Sequence, residues 1–223
     1  MRALNRRYGI LFPLYQLLAA FALVMASQAA LAAPRQQLVL AYGDSLTVGY
    51  QLRPGEGFAP QLEAALKAKG RNVRVVNAGV SGDTTAQGRA RMGWVLAGLK
   101  AKPDLVVLEL GANDMLRGQP PATAKANLAA MIGEFQKRGS RVLLAGMLAE
   151  PNLGPAYTKE FNAIYPSLAK TNKLPFYPFF MDGVATVKGM QLADGRHPTP
   201  RGVKVIVRRM LPLVERELDK LPK

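Results

Sequence analysis

LVLAYGDSLTVGY, residues 38–50, begins as an unbroken apolar run and breaks at Gly43-Asp44-Ser45. A run that is apolar at every position, rather than every second one, reads as a strand buried on both faces. The glycine and short polar residues after Leu38–Ala41 read as a turn at that strand's end. Three further stretches repeat the pattern. Val73–Val76 leads into Asn77-Ala78-Gly79-Val80-Ser81-Gly82-Asp83, Leu105–Leu110 into Gly111-Ala112-Asn113-Asp114, and Val142–Met147 into Ala149-Glu150-Pro151-Asn152. Phe176–Phe180 is a weaker strand, and Pro175 and Pro178 assign it to a sheet edge.

Helical spacing fills the gaps. Phe58–Lys69 carries Leu62, Ala65 and Leu66 and stops at Gly70. Ala86–Lys100 carries Met92, Val95, Leu96 and Leu99, and Ala122–Lys137 carries Leu128, Met131, Ile132 and Phe135. Tyr157–Lys170 and Pro200–Leu221 complete the set, with Pro212 predicting a kink or break in the last. Strand and helix alternate along the chain, which predicts an α/β domain with a mainly parallel sheet and helices on both faces. The longest stretch without a clear element is Asp182–Pro200, and loops of that length often carry function.

The 223-residue chain has 30 Lys and Arg against 15 Asp and Glu, a formal charge of +15. Arg2, Arg6 and Arg7, the apolar run Leu17–Met25 and the small-x-small site Ala30-Leu31-Ala32 predict a secretory signal peptide over 1–32, cleaved after Ala32. The remainder, 33–223, suffices for one domain with a full core. It stays strongly basic after cleavage. Basic surfaces attract nucleic acid or anionic membranes. However, no Lys/Arg run is interleaved with aromatics, so nucleic acid is not expected and weak association with anionic lipid is a secondary expectation. The absence of cysteine from an exported chain places its stability in the core rather than in disulfides. It also removes any thiolate nucleophile or lipid-modified cysteine.

In parallel α/β sheets, ligands bind beyond the carboxyl ends of the strands. Ser45, Gly82 and Asn113 all fall there. The single histidine, His197, lies in Asp194-Gly195-Arg196-His197-Pro198, inside the long polar segment. A serine hydroxyl becomes a nucleophile only when a base takes its proton, and histidine, titrating near neutrality, suits that work. A carboxylate on the far ring nitrogen would fix the tautomer. Ser45, His197 and Asp194 can fill these roles if the first strand lies inside the sheet. Backbone N–H groups at Gly82 and the Asn113 amide suit an oxyanion. Each residue taken singly also reads as a turn residue. The sequence lacks a GxSxG elbow, a dinucleotide fingerprint and a GxxxxGK loop. One histidine with scattered acids gives no metal site, so no cofactor or metal is expected.

GDSL at 43–46, the glycine of NAGVSGDTT at 77–85, GAND at 111–114 and DGRHP at 194–198 resemble the four ordered blocks of the SGNH (GDSL-type) hydrolases. VVNAGVSGDTTAQGRAR, LVVLELGANDMLRG and FNAIYPSLAK are similar to the multifunctional thioesterase, arylesterase and lysophospholipase group of Gram-negative periplasms. The resemblance implies a three-layer α/β/α sandwich with a parallel sheet in flavodoxin-like order. It implies Ser45 as nucleophile, His197 as base and Asp194 as its acid. The Ser45 and Gly82 N–H groups and Asn113 would form the oxyanion hole. The protein would then be a monomeric periplasmic esterase acting on small-molecule esters and thioesters with acyl chains, lysophospholipids among them. A carbohydrate O-deacetylase on the same scaffold is the alternative enzyme, and a non-catalytic lipid-binding protein the alternative of another class. Met115, where a smaller residue is expected, and Arg196, where an apolar one is common, bear on substrate preference.

Overall fold

The computed structural model describes residues 35–221; the predicted signal peptide, 1–32, lies outside the described residues. The apolar runs form a single parallel sheet. β1 (Gln37–Gly43) is interior, hydrogen-bonded to β2 (Val73–Gly79) on one side and β3 (Leu105–Glu109) on the other. β4 (Arg141–Ala145) and β5 (Phe176–Tyr177) extend the sheet beyond β3, giving the order β2-β1-β3-β4-β5. This is the flavodoxin-like order. It puts the end of β1 at the switch point, where one connection leaves in each direction and a crevice opens.

Register and burial follow from position in the sheet. Val39 stands between Val75 and Leu105, and Leu40 between Val76 and Val106. Every residue of β3 and Val39–Gly43 of β1 is buried. β2 departs from the expectation of burial on both faces. Val73 and Val75 are buried but Arg74 and Asn77 are exposed, because β2 is an edge strand. The strand predicted over Phe176–Phe180 shrinks to two residues, since Pro175 and Pro178 have no N–H to donate to the ladder.

Crossovers between parallel strands are right-handed, so leftward and rightward connections lie on opposite faces. The helix between β1 and β2, α2 (Phe58–Ala68), packs with the last helix, α7 (Pro200–Asp219). α3 (Thr85–Ala97), α5 (Pro121–Lys137) and α6 (Pro155–Thr171) form the other layer. Between these lie two short helices absent from the sequence reading, α1 (Ser45–Val48) and α4 (Ala112–Leu116), one after β1 and one after β3. α7 buries Val203, Ile206, Val207, Met210, Val214 and Leu218 along one stripe. It runs unbroken through Pro212, where the sequence predicts a kink or a break. Pro212 is on the exposed side, where the carbonyl that loses its partner can turn to water.

Candidate active site

Ser45 is positioned by a turn that only glycine permits. β1 ends at Gly43, and a Cβ there would lie 2.1 Å from Thr47 Oγ1 and 2.6 Å from Glu109 Oε2. Asp44 then caps α1, its Oδ1 accepting a hydrogen bond from Leu46 N at 3.0 Å. Ser45 is thus the first residue of α1, at the carboxyl end of an interior strand. Its N–H has no acceptor among the described residues.

The segment 182–199 carries Asp194 and His197 to this point. It is closed by a bridge between Gln191 and Pro198, by Leu192 N donating to His197 O at 2.7 Å, and by Gly195 N donating to Leu192 O at 3.0 Å. Asp194 Oδ1 accepts from the backbone N–H groups of Arg196 (2.9 Å) and His197 (3.0 Å), while Oδ2 lies 2.6 Å from His197 Nδ1. Partial burial pushes the Asp194 carboxyl upward, but these donors outweigh it and bring it down to about 2. His197 Nε2 lies 2.8 Å from Ser45 Oγ. The Tyr50 ring packs on the imidazole with centroids 4.4 Å apart. An ionised carboxylate, a ring held between two oxygens and a hydroxyl in line can pass the hydroxyl proton to the ring.

The loops after β2 and β3 complete the surroundings. Gly82 adopts φ +83°, left-handed backbone that favours glycine. Arg117 Nη2 donates to its carbonyl at 2.7 Å, fixing the peptide plane. The Gly82 N–H, like that of Ser45, has no acceptor among the described residues. Asn113, in α4, directs Nδ2 to Asp83 O (3.0 Å) and Asp44 Oδ2 (3.2 Å). Both amide hydrogens are engaged, so the side chain can serve a substrate oxygen only by releasing one acceptor. Asp114 ties the two loops together by accepting from Thr85 N (2.7 Å) and Thr85 Oγ1 (2.6 Å).

Sequence reasoning missed a second acid beneath the turn. Glu109 is buried, and its Oε2 accepts from Thr47 Oγ1 at 2.8 Å and Asp44 N at 3.4 Å. Burial, against the hydrogen bonds from Thr47 and Asp44, pushes the Glu109 carboxyl up to about 7. Burial first and then the neighbouring Glu109 charge push the Asp44 carboxyl well above its ordinary value. The signal was a lone acid in LVVLELG, in a strand read as buried on both faces. Asp44, read as a turn residue, does cap α1.

A cavity of about 380 Å³ opens beside Ser45 and His197, with apolar walls that include Met115, Met147, Phe179 and Met181. Met115 is buried, and its Sδ accepts from Glu150 N at 3.2 Å. Arg196 borders the cavity and faces Glu150 at 3.7 Å. Among the described residues no cluster of three or more His, Asp or Glu side chains could hold a metal.

Comparison with known proteins follows the same outline. The family described as GDSL-like Lipase/Acylhydrolase matches residues 41–205. The chain is 44% identical over 177 residues to "Esterase TesA" of Pseudomonas aeruginosa, covering 79% of this chain and 85% of that one. It is 36% identical to "Thioesterase 1/protease 1/lysophospholipase L1" of Escherichia coli, covering 72% and 74%. The crystal structure of AlinE4, an SGNH-hydrolase family esterase, superposes with a TM-score of 0.71 at 44% identity, covering 86% of this chain and all of that one.

Proposed function

Because the chain belongs to the GDSL-like lipase/acylhydrolase family and is an SGNH-type esterase, we propose that it cleaves acyl esters and thioesters through an acyl-enzyme on Ser45. His197 Nε2 takes the Ser45 proton as Oγ attacks the acyl carbonyl. Asp194 holds the ring and stabilises the imidazolium. The Ser45 and Gly82 N–H groups and one Asn113 N–H receive the oxyanion. The imidazolium then gives its proton to the leaving alkoxide or thiolate. Water, deprotonated by the same ring, releases the acid and restores Ser45.

The observation that carries this reading is the unbroken chain from Asp194 Oδ2 through His197 to Ser45 Oγ at the mouth of an apolar cavity. Walls of methionine and phenylalanine suit an acyl chain better than an acetyl group on a sugar. Aryl esters, acyl thioesters and lysophospholipids are therefore the substrates proposed. We assign the working protein to residues 33–223, a monomer exported to the periplasm after loss of 1–32. Its positive charge would draw it to anionic lipid.

A p-nitrophenyl ester series tests the reading directly. Wild type hydrolyses medium-chain esters, and Ser45→Ala lowers kcat by roughly 10⁴-fold or more. Full activity in Ser45→Ala would overturn the mechanism, and a preference confined to acetyl esters would favour a deacetylase.

A further inference from the structure

Six large hydrophobic side chains are exposed among the described residues: Tyr50, Val80, Trp94, Leu116, Leu148 and Val187. Single exposed hydrophobics are ordinary on any protein surface, but the distribution of these is not even. Tyr50, Leu116 and Leu148 line the cavity beside Ser45 and His197. Val80 and Val187 adjoin the lining residues Ser81 and Thr186. Only Trp94 stands apart, on α3.

Two of these side chains sit next in sequence to a residue in left-handed backbone. Gln51, next to Tyr50, has φ +58°, and Thr186, next to Val187, has φ +62°. Such angles are unfavourable for side chains with a Cβ, and more so for a β-branched threonine. Thr186 is held there by its N–H, which donates to Gln191 Oε1 at 2.7 Å. The fold thus spends strain where Val187 is left in solvent. Exposed apolar groups around a site mouth mark an interaction surface rather than a solvated one.

The charge beside this rim favours one occupant. Lys188 is exposed and has no ion-pair partner among the described residues. Arg117 spends one donor on the Gly82 carbonyl and remains exposed. Arg196 faces Glu150 at 3.7 Å, an open pair. The acids at the mouth, Glu150 and Asp194, are engaged with Arg196 and His197. Apolar side chains ringed by cations match a lipid surface with anionic headgroups.

We propose that the cavity mouth docks on an anionic bilayer, with the five apolar side chains entering the headgroup boundary and Lys188, Arg117 and Arg196 meeting the phosphates. An acyl chain then passes from the bilayer to the cavity without crossing water. This rests on reading the cavity as an acyl site, and it names the surface from which the substrate arrives.

The experiment is co-sedimentation of wild type, Val80→Asn/Val187→Asn, Lys188→Glu and Trp94→Ser with two kinds of vesicle. One is phosphatidylcholine alone, and the other adds phosphatidylglycerol at about one part in three. Neither valine nor Lys188 lines the cavity, so hydrolysis of soluble p-nitrophenyl butyrate serves as the folding and activity control. Wild type partitions onto the anionic vesicles and far less onto the neutral ones. The double valine variant and Lys188→Glu each partition on the order of tenfold less, with butyrate hydrolysis unchanged. Trp94→Ser partitions like wild type. Wild type left in the supernatant, equal partitioning of the double variant, or a loss confined to Trp94→Ser overturns the proposal. Absence of butyrate hydrolysis by wild type would instead count against the esterase reading beneath it, so the two failures are distinguishable.

Discussion

Ser45 Oγ and His197 Nε2 lie 2.8 Å apart across 152 positions of sequence. Two structural facts close that gap. β1 is interior, so its turn faces the middle of the crevice. α7 packs against α2, and Gln61 Nε2 on α2 donates to Pro200 O at 3.1 Å, fixing the end of the segment that delivers His197.

Asp194→Asn removes the carboxylate from the ring and replaces it with an amide that cannot hold the same tautomer. The expected loss in kcat is about 10³- to 10⁴-fold, measured with a p-nitrophenyl ester under saturation. Since the Asp194 carboxyl is depressed to about 2, it stays ionised through the working range. A fall in kcat/KM on mild acidification is therefore not due to protonation of Asp194. A flat acid limb would remove His197 from the role of base.

The same depression has a stability sign. The folded value lies below the unfolded one, so the contribution is present above the ordinary aspartate range, near 4. It is lost as pH falls from about 4 toward 2. Acid unfolding of Asp194→Asn should be shallower across that window, followed by far-UV circular dichroism.

Glu109 carries the opposite sign. Its folded value is raised by burial to about 7, so the protonated form is favoured in the fold. Stability from this group is full below the unfolded value and declines as pH rises through about 7. Glu109→Gln keeps the acceptor for Thr47 and cannot ionise. Urea midpoints at pH 5 and pH 8 should lie closer together in the variant than in wild type. An unchanged difference would show that Glu109 does not titrate in that range.

Asn113→Ala deletes the proposed oxyanion donor and leaves Asp83 O and Asp44 Oδ2 without theirs. The expected result is a loss of about 10²- to 10³-fold in kcat with little change in KM. Stability should also fall by roughly 1–3 kcal/mol from the unpaired buried acceptor. Steady-state kinetics and thermal unfolding on one preparation separate the two effects.

Met115→Ala enlarges the cavity wall. Removing a buried methionine side chain costs about 2–5 kcal/mol, so the melting temperature drops. The ratio of kcat/KM for octanoyl over butyryl esters should rise severalfold as the longer chain occupies the new space. A ratio unchanged or lowered would place the acyl chain elsewhere in the cavity.

The order of strands and helices was legible because buried parallel strands and amphipathic helices leave different periods in the sequence. Leu38–Ala41 and Leu105–Leu110 mark β1 and β3 to within a few residues. Val73–Val76 was harder. Its apolar residues do not reveal that Arg74 faces water, since edge position depends on the order of the sheet. α1 and α4 are too short for any period to register. Glu109 was visible as an acid out of place. Its neighbour Asp44, 65 positions away, follows only from the pairing of β1 with β3. The double engagement of Asn113 could not be read from GAND, because both acceptors come from other loops.

The distance from Asp194 to His197 is three residues, whereas Ser45, Gly82 and Asn113 are scattered over three crossings of the sheet. In the proposed mechanism the proton-handling half of the site is therefore a cassette. Its acid, its ring and the backbone donors that seat them share one closed segment and can be inherited or transplanted together. The acyl-holding half belongs to the scaffold and cannot be moved without it. Recombination at the borders of 182–199 would exchange the proposed base along with part of the apolar rim, and leave Ser45 where it was.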